Sequence, residues 1–370
     1  MGSLSPPQPS NTNPLANYRI YAPFCCRDPW SSTTMPNWIE CYNPLDNSWH
    51  QVTTIPVPIE KHVLKGFSMA SIGDDSLYII GGRLCRKSLG HDQDDTVEKD
   101  VEVVRAVLRY DIRTDEWIEC APLGMPRFDF ACTVCEGKIY VAGGISTLAC
   151  QRGISSAEVY DPALDEWKAL PNMSSMKYKC VGVTWQGKVH VVGGFAEREE
   201  SLTAMPQNTY ARSSAEVYDS ERNKWDTMVG MWQLDVPPNQ IVAINGNLFS
   251  SGDCLNVWKG HIEAYDGKLN IWNVVEGSQF QTLFSPRSVS GAKGANWPPS
   301  QRLYLSMAPI ESHLYFLAGY RMPGEISKAM SVVHVFDTSA SEDSWKSLEP
   351  MEEEGVKELS SHCCAVRHAT

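Results

Sequence analysis

The sequence predicts an all-β fold: a six-bladed β-propeller with blades of four antiparallel strands, the final blade closed by both chain termini. Three observations carry this expectation. A signature of an aromatic residue, Asp or Asn, and then Trp recurs six times; apolar strands ending in small residues precede five of the copies; and each end of the chain holds an incomplete unit.

The signature reads Tyr42-Asn43 with Trp49, Tyr110-Asp111 with Trp117, Tyr160-Asp161 with Trp167, Tyr218-Asp219 with Trp225, Tyr265-Asp266 with Trp272, and Phe336-Asp337 with Trp345. The aromatic-to-Trp offset is seven residues in five copies and nine in the last, which predicts a lengthened final turn. Upstream lie LYIIGG ending at Gly82, IYVAGG at Gly144, VHVVGG at Gly194, the degraded LFSSG at Gly252 and LYFLAG at Gly319. Another apolar strand precedes each of these: FSMASI, FACTVC, CVGVTW, IVAI and YLSMA. Each unit is therefore four strands, a to d, with b closing on the glycines, c on the aromatic pair and d around the Trp. Four short strands cannot bury both faces of their own sheet, and radial stacking of such sheets solves the problem. The paired glycines are expected where backbone approaches backbone near the narrow centre. The six Trp residues are expected to fill the seams between blades.

At the N-terminal end, Tyr18–Phe24 serves as b, Trp38–Tyr42 as c and the segment around Trp49 as d. Pro23-Phe24 takes the place of the glycine pair. After Trp345 one further strand is expected, within SSHCCAVRHAT, and it supplies the missing a strand. Residues 1–17 carry no apolar run of signal-peptide length and no positive cluster, so they read as a disordered tail before a propeller at 18–370. The absence of any run of about eighteen apolar residues predicts no membrane partner, and an intracellular setting, cytoplasm and/or nucleus, is expected.

The net charge of -12 argues against a phosphate-collecting surface and hence against nucleic acid as a main partner. Most of the twelve cysteines lie in apolar strand-like runs and read as reduced core thiols. Cys132 and Cys135 mimic a metal hook, but an offset of three on a strand sends the two side chains to opposite faces.

With these landmarks in place, the sequence resembles the kelch-repeat superfamily over about residues 18–370. Successive Trp positions are separated by 68, 50, 58, 47 and 73 residues, which brackets the kelch period of about 50 once insertions are allowed. Within the superfamily the chain looks most like plant F-box/kelch proteins. The resemblance implies a recognition platform built from loops on a propeller, often one that selects a client for ubiquitination. The 17 residues before the first expected strand are too few for the helical F-box module, so a scaffold without its own F-box is expected.

In a four-strand meander, b–c loops and d–a loops emerge on one face. The long insertions all belong to these classes: 83–102, 195–213 and 320–330 are b–c, and 276–302 is d–a. This asymmetry predicts a recognition face for a protein partner. Candidate contacts there are Arg127 and Lys177, at matching d–a junctions, and Arg287 and Trp297 in the longest insertion. The acidic segment 92–100 reads as a solvated loop or as a surface for a basic partner.

No catalytic, cofactor or metal residue is assigned. The nine His are scattered among blade elements, unlike the clustered ligands that resemblance to kelch-type copper oxidases would imply. Resemblance to iron-dependent specifier proteins would imply Glu, Asp and His at four-residue intervals. The nearest match is Glu354, Glu358 and His362, with Glu at the Asp position, in a segment that reads as an acidic loop. No phosphate-binding glycine loop or nucleophile elbow occurs, and no small-molecule substrate is indicated. A protein-recognition scaffold is the leading reading; a metal-dependent kelch enzyme and a cytoskeletal kelch protein are the alternatives.

Overall fold

Short runs of Val, Ile, Tyr and Trp with a period of two, bounded by Gly, Asn and Asp turns, set the strands. The computed structural model describes residues 14–27, 37–57, 59, 62–89, 96–150, 152–197, 212–279, 302–322, 328–340 and 344–368. Read in the order a, b, c, d, the first sheet is Ser68–Ile72, Ser76–Ile80, Val107–Asp111 and Glu116–Cys120. The second is Ala131–Cys135, Lys138–Ala142, Ala157–Asp161 and Glu166–Leu170; the third is Val181–Trp185, Lys188–Val192, Ala215–Asp219 and Lys224–Met228. The fourth is Ile241–Ile244, Asn247–Ser250, Glu263–Asp266 and Ile271–Val274, and the fifth is Arg302–Ile310, His313–Arg321, Lys328–Asp337 and Trp345–Ser347.

A closing sheet joins the two ends of the chain. Cys364–Arg367 pairs with Tyr18–Cys26, placing Tyr18 opposite Arg367 and Tyr21 opposite Cys364, and Trp38–Asn43 and Ser48–Thr54 follow as c and d. Each a strand packs against the next: the first sheet's against the second's, and so on to the fifth. Cys364–Arg367 touches both Arg302–Ile310 and Ser68–Ile72, which completes the circuit of a β-propeller.

The core lies in the seams. One apolar cluster joins Tyr78, Ile80 and Val107 of the first sheet to Phe130, Ile139, Val141 and Tyr160 of the second. Another joins Ile20, Phe24 and Tyr42 of the closing sheet to Tyr315, Leu317 and Val333 of the fifth. Burying both sheet faces this way is what four short strands need.

Several expectations need correction. Pro14–Asn17 forms a 3-10 turn, Leu15 packs on the closing seam and the His368 N–H donates to Asn17 O at 2.7 Å. The ordered chain thus starts before residue 18; residues 1–13 lie outside the described residues. Three strands rather than one follow Trp345: Met351–Glu354 lengthens the fifth sheet beside Lys328–Asp337, and Lys357–Leu359 pairs with Phe24–Cys26 ahead of Cys364–Arg367. Segment 320–330 is strand at both its ends, because b and c of the fifth sheet run to Arg321 and from Lys328; 323–327 lie outside the described residues. Gly319 ends no strand. It lies within b, where a Cβ would run into the ring of Tyr304.

Candidate functional site

Glycine pairs follow the b strands of the first three sheets. Gly82 and Gly144 have φ of 107° and 95°, in the region that L side chains rarely adopt. Their N–H groups donate to the next junction, Gly82 to Arg127 O at 2.8 Å and Gly144 to Lys177 O at 2.7 Å. A Cβ on Gly143 would sit 2.6 Å from Lys177 O. Gly194, with φ of 95°, holds the equivalent place in the third sheet.

The Trp residues tie each blade to the one before it. Trp117 Nε1 donates to Thr53 Oγ1 at 3.0 Å, Trp167 to Ala121 O at 2.8 Å and Trp225 to Pro171 O at 2.8 Å. Trp272 and Trp345 do the same to Met231 O and Ser278 O, at 2.6 and 3.2 Å. Trp49 packs on Tyr42, with ring centroids 5.1 Å apart.

Arg127 and Lys177 are both wholly enclosed. Arg127 donates to Gly143 O at 2.9 Å and Ser156 O at 3.0 Å, and pairs with Glu158 at 2.5 Å. Lys177 Nζ repeats the pattern in the next blade, donating to Gly193 O at 3.2 Å and Ser214 O at 3.1 Å. Burial lowers the pKa of each, and the nearby Glu158 and Glu216 oppose that shift. The cations therefore saturate strand-end carbonyls, and neither is offered to a partner. Arg287 and Trp297 lie outside the described residues.

One missed signal stands in the c strands. A Glu two residues before the aromatic recurs as Glu40, Glu158, Glu216 and Glu263. Glu40 meets Lys357 at 2.6 Å, Glu158 meets Arg127, and Glu263 meets Lys259 at 3.1 Å. Glu216 accepts from Ser174 and Ser175, with the Lys177 charge nearby. A second missed signal is the Asx five residues after the aromatic. Asp115, Asp165, Asn223 and Asn270 all have positive φ, and each accepts the tyrosine hydroxyl at 2.6–2.8 Å.

At the insertion face, d–a and b–c segments pair with each other. Val63–Lys65 pairs with Arg83–Leu89, and Met176–Tyr178 with Phe195–Glu197; single bridges join Phe128 to Ile145 and Pro238 to Asp253. Segment 83–102 is thus no open loop: Arg83–Leu89 and Thr96–Val103 form a hairpin. Residues 90–95 of that segment, and 198–211 and 280–301 within two other expected insertions, lie outside the described residues.

These segments surround a central cavity of about 710 Å³ lined by every a strand or its approach. Lys65, Arg83, Asp129, Lys179, Arg302, Glu358 and His362 bring charge or an imidazole to its wall. Glu358 Oε1 accepts from Lys65 at 2.8 Å and Lys87 at 2.6 Å. Burial alone would raise its carboxyl, but the two ammoniums hold it down at about 2. Arg83 pairs with Asp100 at 2.9 Å, stands 3.7 Å from Asp129 and lies over the Phe128 ring. Burial pushes Asp129 up, against Arg83 and Lys179. The surrounding ring likewise holds His362 below its ordinary value. Lys179 stands exposed at the cavity wall, with positive φ at its backbone.

Glu98 and Asp100, from the acidic segment, pair inward with Lys65 and Arg83; Asp92, Asp94 and Asp95 lie outside the described residues. Of the specifier-like trio, Glu358 is held by lysines, and among the described residues no three His, Cys, Asp or Glu side chains converge on one point. All twelve cysteines are free thiols; Cys132 borders one seam and Cys135 the next, on opposite faces of their sheet.

The repeated sheets, glycine pairs and seam Trp residues define a propeller of kelch repeats, and a kelch motif is matched over residues 126–174, spanning the second sheet. The chain is similar to kelch-repeat proteins, plant F-box/kelch-repeat proteins among them. An F-box/kelch-repeat protein of Arabidopsis thaliana is 31% identical over 229 residues, covering 57% of this chain and 52% of its own length. The F-box/kelch-repeat protein SKIP30 of Arabidopsis thaliana is 25% identical over 318 residues, covering 84% and 74%. Human Kelch-like protein 23 is 27% identical over 189 residues, covering 50% and 27%. The chain thus spans about half the length of the first of these relatives. Among the described residues no helix is long and apolar enough to cross a membrane.

Proposed function

We propose that the chain from Pro14 onward forms one six-bladed propeller that recognises a protein partner across the insertion face. The kelch repeats and the relatives support an interaction scaffold. The observation that carries the choice of face is the central cavity: charged side chains from several blades line it beside the paired d–a and b–c segments, whereas the c–d turns opposite are short. The relatives named F-box/kelch-repeat motivate the finer reading that the partner is a client presented for ubiquitination.

Proximity labelling with the full chain, followed by binding of the purified partner, tests this. Lys179→Gln is expected to weaken binding about tenfold or more without moving the melting transition, with Lys179→Arg restoring it. Leu164→Glu, on a c–d turn of the opposite face where Leu164 is 61% exposed, is expected to leave binding unchanged. The reverse pattern would reassign the binding face.

A further inference from the structure

The second and third sheets build one site twice, with different cations. Both c strands read Ala-Glu-Val-Tyr-Asp, at Ala157–Asp161 and Ala215–Asp219, and both b strands run into a glycine pair. The cation enters at the same place in the d–a junction, as Arg127 in one and Lys177 in the other. The two sites can therefore be compared atom by atom.

Arg127 uses both terminal nitrogens. Nη1 donates to Gly143 O and Ser156 O, while Nη2 donates to Ser156 Oγ at 3.3 Å and to Glu158 Oε1 at 2.5 Å. The junction adds Gly124 N, which donates to Glu158 Oε2 at 2.7 Å, so both carboxylate oxygens are matched. In the third sheet Lys177 Nζ takes the place of Nη1, donating to Gly193 O and Ser214 O, with Ser214 Oγ at 3.3 Å. Lysine has no second nitrogen to stand for Nη2. The Ser174 and Ser175 hydroxyls both donate to Glu216 Oε1. Glu216 Oε2 has no hydrogen-bond partner among the described residues, in a side chain that is 0% exposed. A carboxylate oxygen enclosed in this way calls for a donor.

We infer that one buried water molecule binds between Glu216 and Ser214, where Nη2 of the arginine stands in the second sheet. It donates to Glu216 Oε2 and is held by Ser214 Oγ, which gives it the two polar partners an interior water needs. A metal cation is disfavoured there, because Lys177 already brings positive charge beside Glu216 and among the described residues no three His, Cys, Asp or Glu side chains converge. The site lies at the junction whose Met176–Tyr178 strand pairs with Phe195–Glu197. It stands apart from the reading of the insertion face as a partner surface.

The test is a crystal structure of the full chain that orders interior waters, set beside that of Lys177→Arg. The parent protein is expected to show a single water about 2.5–3.0 Å from both Glu216 Oε2 and Ser214 Oγ. The arginine is expected to expel it, to bring a guanidinium nitrogen onto Glu216 as in the second sheet, and to leave the urea midpoint at or above the parent's. Direct contact between Lys177 Nζ and Glu216 Oε2, a metal ion in the site, or no water there in the parent would overturn the inference. So would an arginine that turns away from Glu216 while the midpoint falls, since the site would then lack room for the missing nitrogen. The parent structure decides on the water by itself, whether or not the variant folds.

Discussion

At Arg127 a guanidinium sits fully inside the protein, matched by two carbonyls and the Glu158 carboxylate. Replacing it by Met leaves Glu158 buried without its cation, and removing one partner of a buried pair costs about 3–5 kcal/mol. Arg127→Met is therefore expected to lower the urea midpoint sharply; an unchanged midpoint, with partner binding lost, would return Arg127 to the recognition role its sequence position suggests. That position was misleading for a physical reason. A cation at this place in a d–a junction does not line the central cavity; it turns to the carbonyls where the glycine-ended b strand and the c strand meet, and a buried acceptor must find a donor. The repeated Ala-Glu-Val-Tyr-Asp at 157–161 and 215–219 held the clue, since a Glu in a buried c strand calls for a cation.

At the scale of elements, the blades were legible because the c and d strands carry a landmark in every copy, aromatic with Asp or Asn and then Trp, and three of the b strands end on a glycine pair. The hairpin 83–103 and the late strands were not. Met351–Glu354 is strand only through pairing with Lys328–Ser331, and Lys357–Leu359 only through Phe24–Cys26; tertiary partners override weak local preference there. Lys357–Leu359 also carries Glu358, which joins the C-terminal segment to Lys65 and Lys87. Its carboxyl falls from an ordinary 4.5 to about 2 on folding. The unfolded state therefore binds the proton more readily, and the contribution is complete above about pH 4.5 and vanishes as pH falls through 2. Urea midpoints taken from pH 6 down to 2 are expected to drop less steeply in Glu358→Gln than in the parent protein; parallel curves would mean the two lysines do not hold this carboxylate.

For the whole molecule, the sequence already showed that the ends must meet, because each terminal unit lacked strands the other held. It did not show how the ends are fastened. Tyr18–Cys26 is held by two separate C-terminal strands, and Lys357 sits over Phe24 between Glu40 and Glu353. Sheets that cover one another's faces around a circuit share their stability, so opening one seam exposes apolar area on both sides of it. The most direct measurement is amide exchange on the chain ended at Ser360, which lacks Cys364–Arg367, beside the full chain. A closed ring predicts lost protection in Tyr18–Cys26, in Arg302–Ile310 and in the distant Lys138–Ala142 together, with a lower melting transition. Loss confined to Tyr18–Cys26, with the other sheets and the melting transition unchanged, would contradict it.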